Sequence, residues 1–279
     1  MKKKTILVLS LFITALILIA GCSSSTTPTT GTIEVNSTPI GAKIYLDGVD
    51  TGMATPFTIT NVGASSHVIK LDAFHFEIWE ETVIVTANET IYLNPLLVYA
   101  AESTRTLQPG AEGIDTAVES AYSTNNYALW PFTGIGNSAS TIVRTYIKFD
   151  LSSIPANARV FDADLKLYQY DTIGTENFTI ELLKINNSWD ESTICWDLQP
   201  TRSSDPIISS SITAGATTWE YWDIDTLVQG WLDGTITNYG MMLKDTDESS
   251  VNTIAYFYTS DYIADTTKCP KLEIDYYIP

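Results

Sequence analysis

Alternation of apolar and polar positions dominates the chain. Residues 141–149 place Val143, Ile147 and Phe149 on one face and Arg144, Tyr146 and Lys148 on the other. Residues 160–170 set Ala163, Leu165 and Leu167 against Asp164, Lys166 and Tyr168. The last such segment sets Leu272, Ile274 and Tyr276 against Lys271, Glu273 and Asp275. Period two with one polar face predicts antiparallel strands packed face to face. Shorter strand-like segments crowd the N-terminal part, at 32–36, 42–46, 57–60, 67–72, 82–85 and 90–93. Asp47-Gly48 follows directly on one of them and predicts a hairpin turn, because glycine tolerates positive φ.

One segment has helical period instead. Asp225 is placed to N-cap a short helix in which Leu227, Val228, Trp231 and Leu232 share a face, and Gly234 supplies the stop. That puts Trp231 in the core. Fifteen tyrosines and seven tryptophans, with abundant Thr, Ile and Val, also favour strands. The expected fold class is all-β: a small β-sandwich, then a larger antiparallel β-sandwich or jelly roll with one short helix.

The first residues read as an export signal. Lys2, Lys3 and Lys4 form a positive start, and residues 6–20 are apolar except for Ser10 and Thr14. Such a run is short for a membrane span but suits the apolar stretch of a secretory leader. It closes on Ile19-Ala20-Gly21-Cys22, which resembles a lipoprotein lipobox. The resemblance implies a signal peptide over 1–21, a diacylglycerol on Cys22 and a protein held at the cell surface, outside the cytoplasm. Two acyl chains suffice for stable anchoring where one is marginal. Residues 22–30 are a Ser/Thr/Pro tether without apolar periodicity.

Charge narrows the partners. The formal charge is −18, and loss of the three leader lysines takes it to −21. So acidic a surface argues against nucleic acid and against a basic patch on anionic headgroups. Beyond Cys22 there are only Cys195 and Cys269, which make no disulfide framework. Whether they pair is open on sequence alone, although Cys195 beside Trp196 favours a buried thiol.

Residues 37–48 read Ser-Thr-Pro-Ile-Gly-Ala-Lys-Ile-Tyr-Leu-Asp-Gly, followed by Gly52, Thr55-Pro56, Asn61-Val62 and His67-Val68-Ile69-Lys70-Leu71. This series resembles the PEGA domain, over 31–98. His75-Phe76 stands where that family usually has Gly-Tyr. The resemblance implies a small surface-associated β-sandwich without enzyme activity. Residues 99–114, with Pro109-Gly110, are expected to be a linker.

The remainder, 115–279, carries Arg144, Phe149-Asp150-Leu151-Ser152-Ser153-Ile154-Pro155, Trp189-Asp190-Glu191, Trp196 and Trp222-Asp223-Ile224. Val228-Gln229-Gly230-Trp231, Asn238-Tyr239-Gly240 and Pro270-Lys271-Leu272 follow. In this order they resemble the DNRLRE-type domain of disaggregatase-related surface proteins, a jelly-roll carbohydrate-binding module. Cys195 departs from that pattern, standing where a hydroxyl residue is usual. The resemblance implies binding of extracellular polysaccharide, acidic in some members; the net charge of this chain favours a neutral one.

Catalytic chemistry finds little support. His67 and His75 read as packing or surface residues. There is no HExxH, paired CxxC or phosphate-cradling glycine loop, so no cofactor is expected. Asp190 and Glu191 are adjacent, which sends them to opposite faces of a strand rather than into a glycosidase pair. Asp245, Asp247 and Glu248 have spacing compatible with structural calcium, against the alternative of a solvated loop.

Aromatic residues are the better lead, since a flat π surface stacks on the C–H face of a pyranose. Tyr127, Trp130, Trp189, Trp196, Trp219, Trp222 and Tyr239 are candidates, with Trp222 assigned to the core alongside Trp231. Tyr127 and Trp130, in a loop, are the expected sugar contacts, and Arg144, Lys148 and Lys166 the outward cations for an acidic chain. The sequence thus describes a surface lipoprotein that binds polysaccharide without catalysis. A structural or adhesive envelope protein is the second reading, and a polysaccharide hydrolase or lyase the third.

Overall fold

The computed structural model describes residues 29–249 and 253–279. The expected leader and Cys22 lie outside them. The N-terminal domain has seven strands: β1 (Thr30–Val35), β2 (Lys43–Leu46), β3 (Val49–Ala54), β4 (Phe57–Gly63), β5 (Ser66–Asp72), β6 (Trp79–Ile84) and β7 (Thr90–Leu93). They form a three-stranded sheet, β4-β1-β7, facing a four-stranded one, β3-β2-β5-β6. Ile33, Val35, Ile44, Ile69, Leu71 and Val83 fill the space between. The expected hairpin joins β2 to β3, with Asp47 at φ 51° and Gly48 at φ 80°. Asp47 fixes this turn to the next strand: Oδ1 accepts from the Val68 amide, and Oδ2 takes His67 Nδ1 at 2.7 Å. That carboxylate raises the His67 pKa, with the Gly63 carbonyl helping. His67 is therefore a turn residue.

The second domain contains β8 (Glu102–Leu107), β9 (Ile114–Glu119), β10 (Phe132–Ser138), β11 (Thr141–Lys148), β12 (Arg159–Ile173), β13 (Phe178–Lys184), β14 (Ile208–Ile212), β15 (Thr218–Asp223), β16 (Met241–Asp245), β17 (Thr253–Tyr258) and β18 (Lys271–Tyr277). They make one antiparallel sheet in the order β14-β13-β16-β11-β10-β17-β12-β18-β8, with β15 on β12 and β9 on β11. The sheet curls until β14 comes against β15. Ala163, Leu165, Leu167, Leu272 and Ile274 point into the enclosed core with Phe257, Trp222 and Met241, as alternation predicts.

Two expectations are corrected. Within the stretch read as a linker, Glu102–Leu107 is a strand paired with β18 along its length. Its side chains are almost all exposed, so backbone hydrogen bonds to β18 are its main hold, with Leu107 packed against the core and Glu102 paired with His75 at the two ends. A polar strand of this kind closes a sheet edge against other chains. The helix forms over Asp225–Leu232 and buries Leu227, Val228 and Trp231. Asp225 is its first helical residue and not the cap, and its amide is taken by Asp223 Oδ1 at 3.2 Å. Cys195 and Cys269 are buried free thiols.

Candidate functional site

The loop between β9 and β10 carries Tyr127 and Trp130. Asn126 pins it from below, donating Nδ2 hydrogen bonds to the Glu191 and Ile194 carbonyls. The Trp130 amide closes a turn on the Tyr127 carbonyl at 3.0 Å, and Thr259 Oγ1 donates to the Trp130 carbonyl at 2.5 Å. So held, the two rings meet edge to face, centroids 5.2 Å apart, and Trp130 meets Phe132 the same way at 5.3 Å. Together with Tyr256 they wall a cavity of about 150 Å³ whose remaining surface comes from Ala117, Glu119, Thr133, Gly134 and Val143. Trp130 is 47% exposed, so one side of it faces solvent. Glu119 Oε2 accepts from the Tyr127 hydroxyl at 3.0 Å. Burial raises the Tyr127 pKa, and the Glu119 charge adds to it, so the phenol stays neutral.

The expected cations are placed differently. Arg144 is not an outward charge: Nε and Nη2 donate to the two oxygens of Glu248 at 2.6 and 2.7 Å, and Nη1 donates to Gln199. Its guanidinium also lies 4.4 Å from the centre of the Trp196 ring. The reason is that the second face of β11 is covered: Tyr146 is buried with Val118, Leu183, Ile185, Ile194 and Met242, beneath Trp189 and Trp196. Lys166 is likewise held, by Glu273 at 2.5 Å and Asp164 at 3.5 Å. Lys148 is half-buried and makes no ion pair among the described residues.

Asp245, Asp247 and Glu248 do not converge as cation ligands. Asp245 is buried and takes the Asp247 amide, while Glu248 is occupied by Arg144. Among the described residues no group of three or more His, Cys, Asp or Glu could hold a metal ion. Asp190 binds Ser192, and Glu191 accepts from the Asp115 amide at 2.7 Å, so this adjacent pair braces loops.

The other aromatic candidates are mostly structural. Trp222 is wholly buried, Trp189 donates Nε1 to the Tyr239 carbonyl, and Trp219 lies under Lys271. A tyrosine ladder crosses β17 and β12: Tyr258 stacks on Tyr262 at 3.7 Å and on Tyr170 at 4.4 Å. Tyr258 therefore spends both ring faces on neighbours and leaves only its edge. A hydrogen bond with Tyr262 pushes the Tyr258 pKa up to about 12, and burial does the same for Tyr170. The signal for this ladder was present as the i, i+2 pairs Tyr168/Tyr170 and Tyr256/Tyr258.

Comparison with known proteins agrees with this division. No curated protein matches the chain. Residues 30–99 match the model of the PEGA domain, and residues 106–275 match that of carbohydrate-binding module family 96. The second match starts within β8, inside the stretch expected to be a linker, and spans more than half of the chain. Behind a PEGA domain, then, the chain belongs to carbohydrate-binding module family 96.

Proposed function

We propose that this is a lipid-anchored surface protein that binds polysaccharide without acting on it, gripping sugar at Tyr127 and Trp130. The observation that carries the reading is the convergence of these two residues, with Phe132 and Tyr256, on one open cavity in the domain that matches a carbohydrate-binding family. Trp130 offers an exposed indole, the surface on which a pyranose stacks. Arg144 and Lys166 are engaged by carboxylates, which supports a neutral chain over an acidic one. The PEGA domain and the tether hold the module away from the membrane, with Cys22 as the lipid carrier. Among the described residues no helix is long and apolar enough to cross a membrane.

The test uses the full chain with Cys22→Ser on a glycan array. Trp130→Ala is expected to abolish binding while leaving the melting transition nearly unchanged. An unfolded Trp130→Ala would make the residue structural, and an array without any signal would favour the adhesive reading. The same Cys22→Ser change is expected to move the protein from the membrane fraction to the soluble one. Unchanged membrane association would refute lipid anchoring.

A further inference from the structure

The cavity is small and mostly apolar, which restricts what enters it. An apolar cavity of about 150 Å³ admits a benzene-sized body. This cavity has the same volume, about 150 Å³. A pyranose with its hydroxyls is larger than benzene. Its hydroxyls would also find few partners, because Ala117, Phe132, Gly134 and Val143 offer no side-chain donor or acceptor. The Thr133 hydroxyl is already taken by Thr145 at 2.6 Å. Burying an unpartnered hydroxyl is costly, whereas a methyl gains by leaving water. The ring therefore stays outside and an apolar substituent goes in.

Glu119 selects among such substituents. Glu119 lines the cavity, and with its Oε2 held by Tyr127 its Oε1 is the remaining carboxylate acceptor. A carboxylate accepts hydrogen bonds and cannot donate them. An ester or a deoxy-sugar methyl brings no donor to it, while an acetamido group brings an amide N–H beside its methyl. No Lys or Arg lines the cavity, so a sugar carboxylate has no counter-charge there.

Resting on the proposed glycan-binding role, we infer that this cavity takes the acetamido group of a neutral N-acetylated sugar. The sugar ring lies on Trp130, the acetamido methyl enters between Phe132 and Tyr256, and the amide N–H donates to Glu119. Gly134 keeps the floor open. A Cβ there would stand 3.1 Å from Ile254, 3.3 Å from Tyr256 and 3.4 Å from Val143, inside the space the methyl needs.

The experiment titrates the full chain carrying Cys22→Ser with two matched pairs. Chitopentaose against cellopentaose differs only at the C2 substituent. The methyl glycosides of N-acetylgalactosamine and galactose repeat the comparison in the other C4 configuration. In at least one pair the acetamido ligand is expected to bind about tenfold or more tighter, as for a methyl group recognised by an apolar pocket. Gly134→Ala and, on the opposite wall, Ala117→Val are each expected to erase most of that preference, with folding checked by thermal melting. Equal binding within both pairs overturns the acetamido assignment and leaves glycan binding standing. A preference that survives in every folded cavity variant overturns the location. If the array and both pairs show no binding at all, the proposed function itself falls.

Discussion

Arg159 at the start of β12 donates from both terminal nitrogens to the two oxygens of Asp72 at the end of β5, each bond 2.5 Å long. This forked pair spans the two domains. Beside it the His75 ring stacks on Tyr277, centroids 5.2 Å apart, and Phe74 meets Tyr277 edge-on at 5.9 Å. His75 thus packs at the seam, and the PEGA domain is docked on the sugar-binding module.

Breaking that fork loosens the seam. Arg159→Met removes the donors while keeping much of the side chain's bulk. Hydrogen bonds to charged groups are worth about 1.5–3 kcal/mol, so proteolysis of the connection at 94–101 should quicken by roughly tenfold. Cleavage at the wild-type rate would show that the aromatic contacts hold the seam alone. The Arg159 bond lowers the Asp72 pKa below its ordinary 3.8. A depressed carboxylate contributes stability that is present above the undocked value and is lost as pH falls through the docked one. Small-angle scattering should therefore find one compact particle at neutral and mildly acidic pH. Expansion should begin only below about pH 4.

Asp115 gives the opposite pH dependence. It is almost wholly buried, and burial pushes its carboxyl up to about 7, against the lowering effect of hydrogen bonds from Ser260. The folded state therefore holds the proton more tightly than the unfolded one. Its contribution to stability falls as pH rises from the unfolded value of 3.8 to about 7, then levels off. Asp115→Asn should flatten this segment of the melting-temperature profile and raise the melting point at about pH 8 by several degrees. A profile parallel to that of the wild type would show that Asp115 does not titrate there.

The sheet interior was legible because alternation is a local signal: Leu165, Leu167, Leu272 and Ile274 are buried as their parity requires. The tight turn at Asp47-Gly48 was legible for the same reason. Strands without alternation were not. β3 contains Gly52 at φ 71° and exposes nearly every side chain, and β8 is polar throughout most of its length. β3 is defined by its hairpin with β2 and β8 by the distant β18, and neither strand's own side-chain pattern announces that pairing. Arg144 was misjudged because parity states which face a side chain takes but not what lies over that face. Here the segment bearing Trp189 and Trp196 covers it. Tyr127 and Trp130 could be picked from their loop, yet Phe132, Gly134 and Tyr256, the rest of their cavity, come from β10 and β17 and meet only in the fold.

Arg144 serves stability in this arrangement. Its side chain and that of Glu248 are 13% and 18% exposed, so removing the guanidinium leaves a largely buried carboxylate with only Lys244, at 4.0 Å, for a counter-charge among the described residues. Arg144→Ala should cost about 3 kcal/mol and lower the melting point by roughly 5–10 °C. Glycan affinity measured well below that transition should stay within about twofold of wild type, since the cavity and Trp130 are untouched. Lost affinity with an unchanged melting point would return Arg144 to the binding surface.

Salt separates a stacking site from a charged one. Contact of a pyranose with Trp130 is short-ranged and carries no net charge, so screening leaves it nearly intact. A polyanion would instead depend on cations, of which Lys148 alone among the three sequence candidates makes no ion pair among the described residues. It would also meet the long-range repulsion of a chain whose formal charge is −18 before any leader is removed. Between about 20 and about 300 mM sodium chloride the Debye length shrinks from roughly 20 Å to under 6 Å, yet affinity for the best array ligand should move by less than about twofold. Lys148→Ala should leave that affinity unchanged at both ends of the range. A steep loss of binding with salt, abolished in Lys148→Ala, would mean that the ligand is acidic and that Trp130 is not its principal contact.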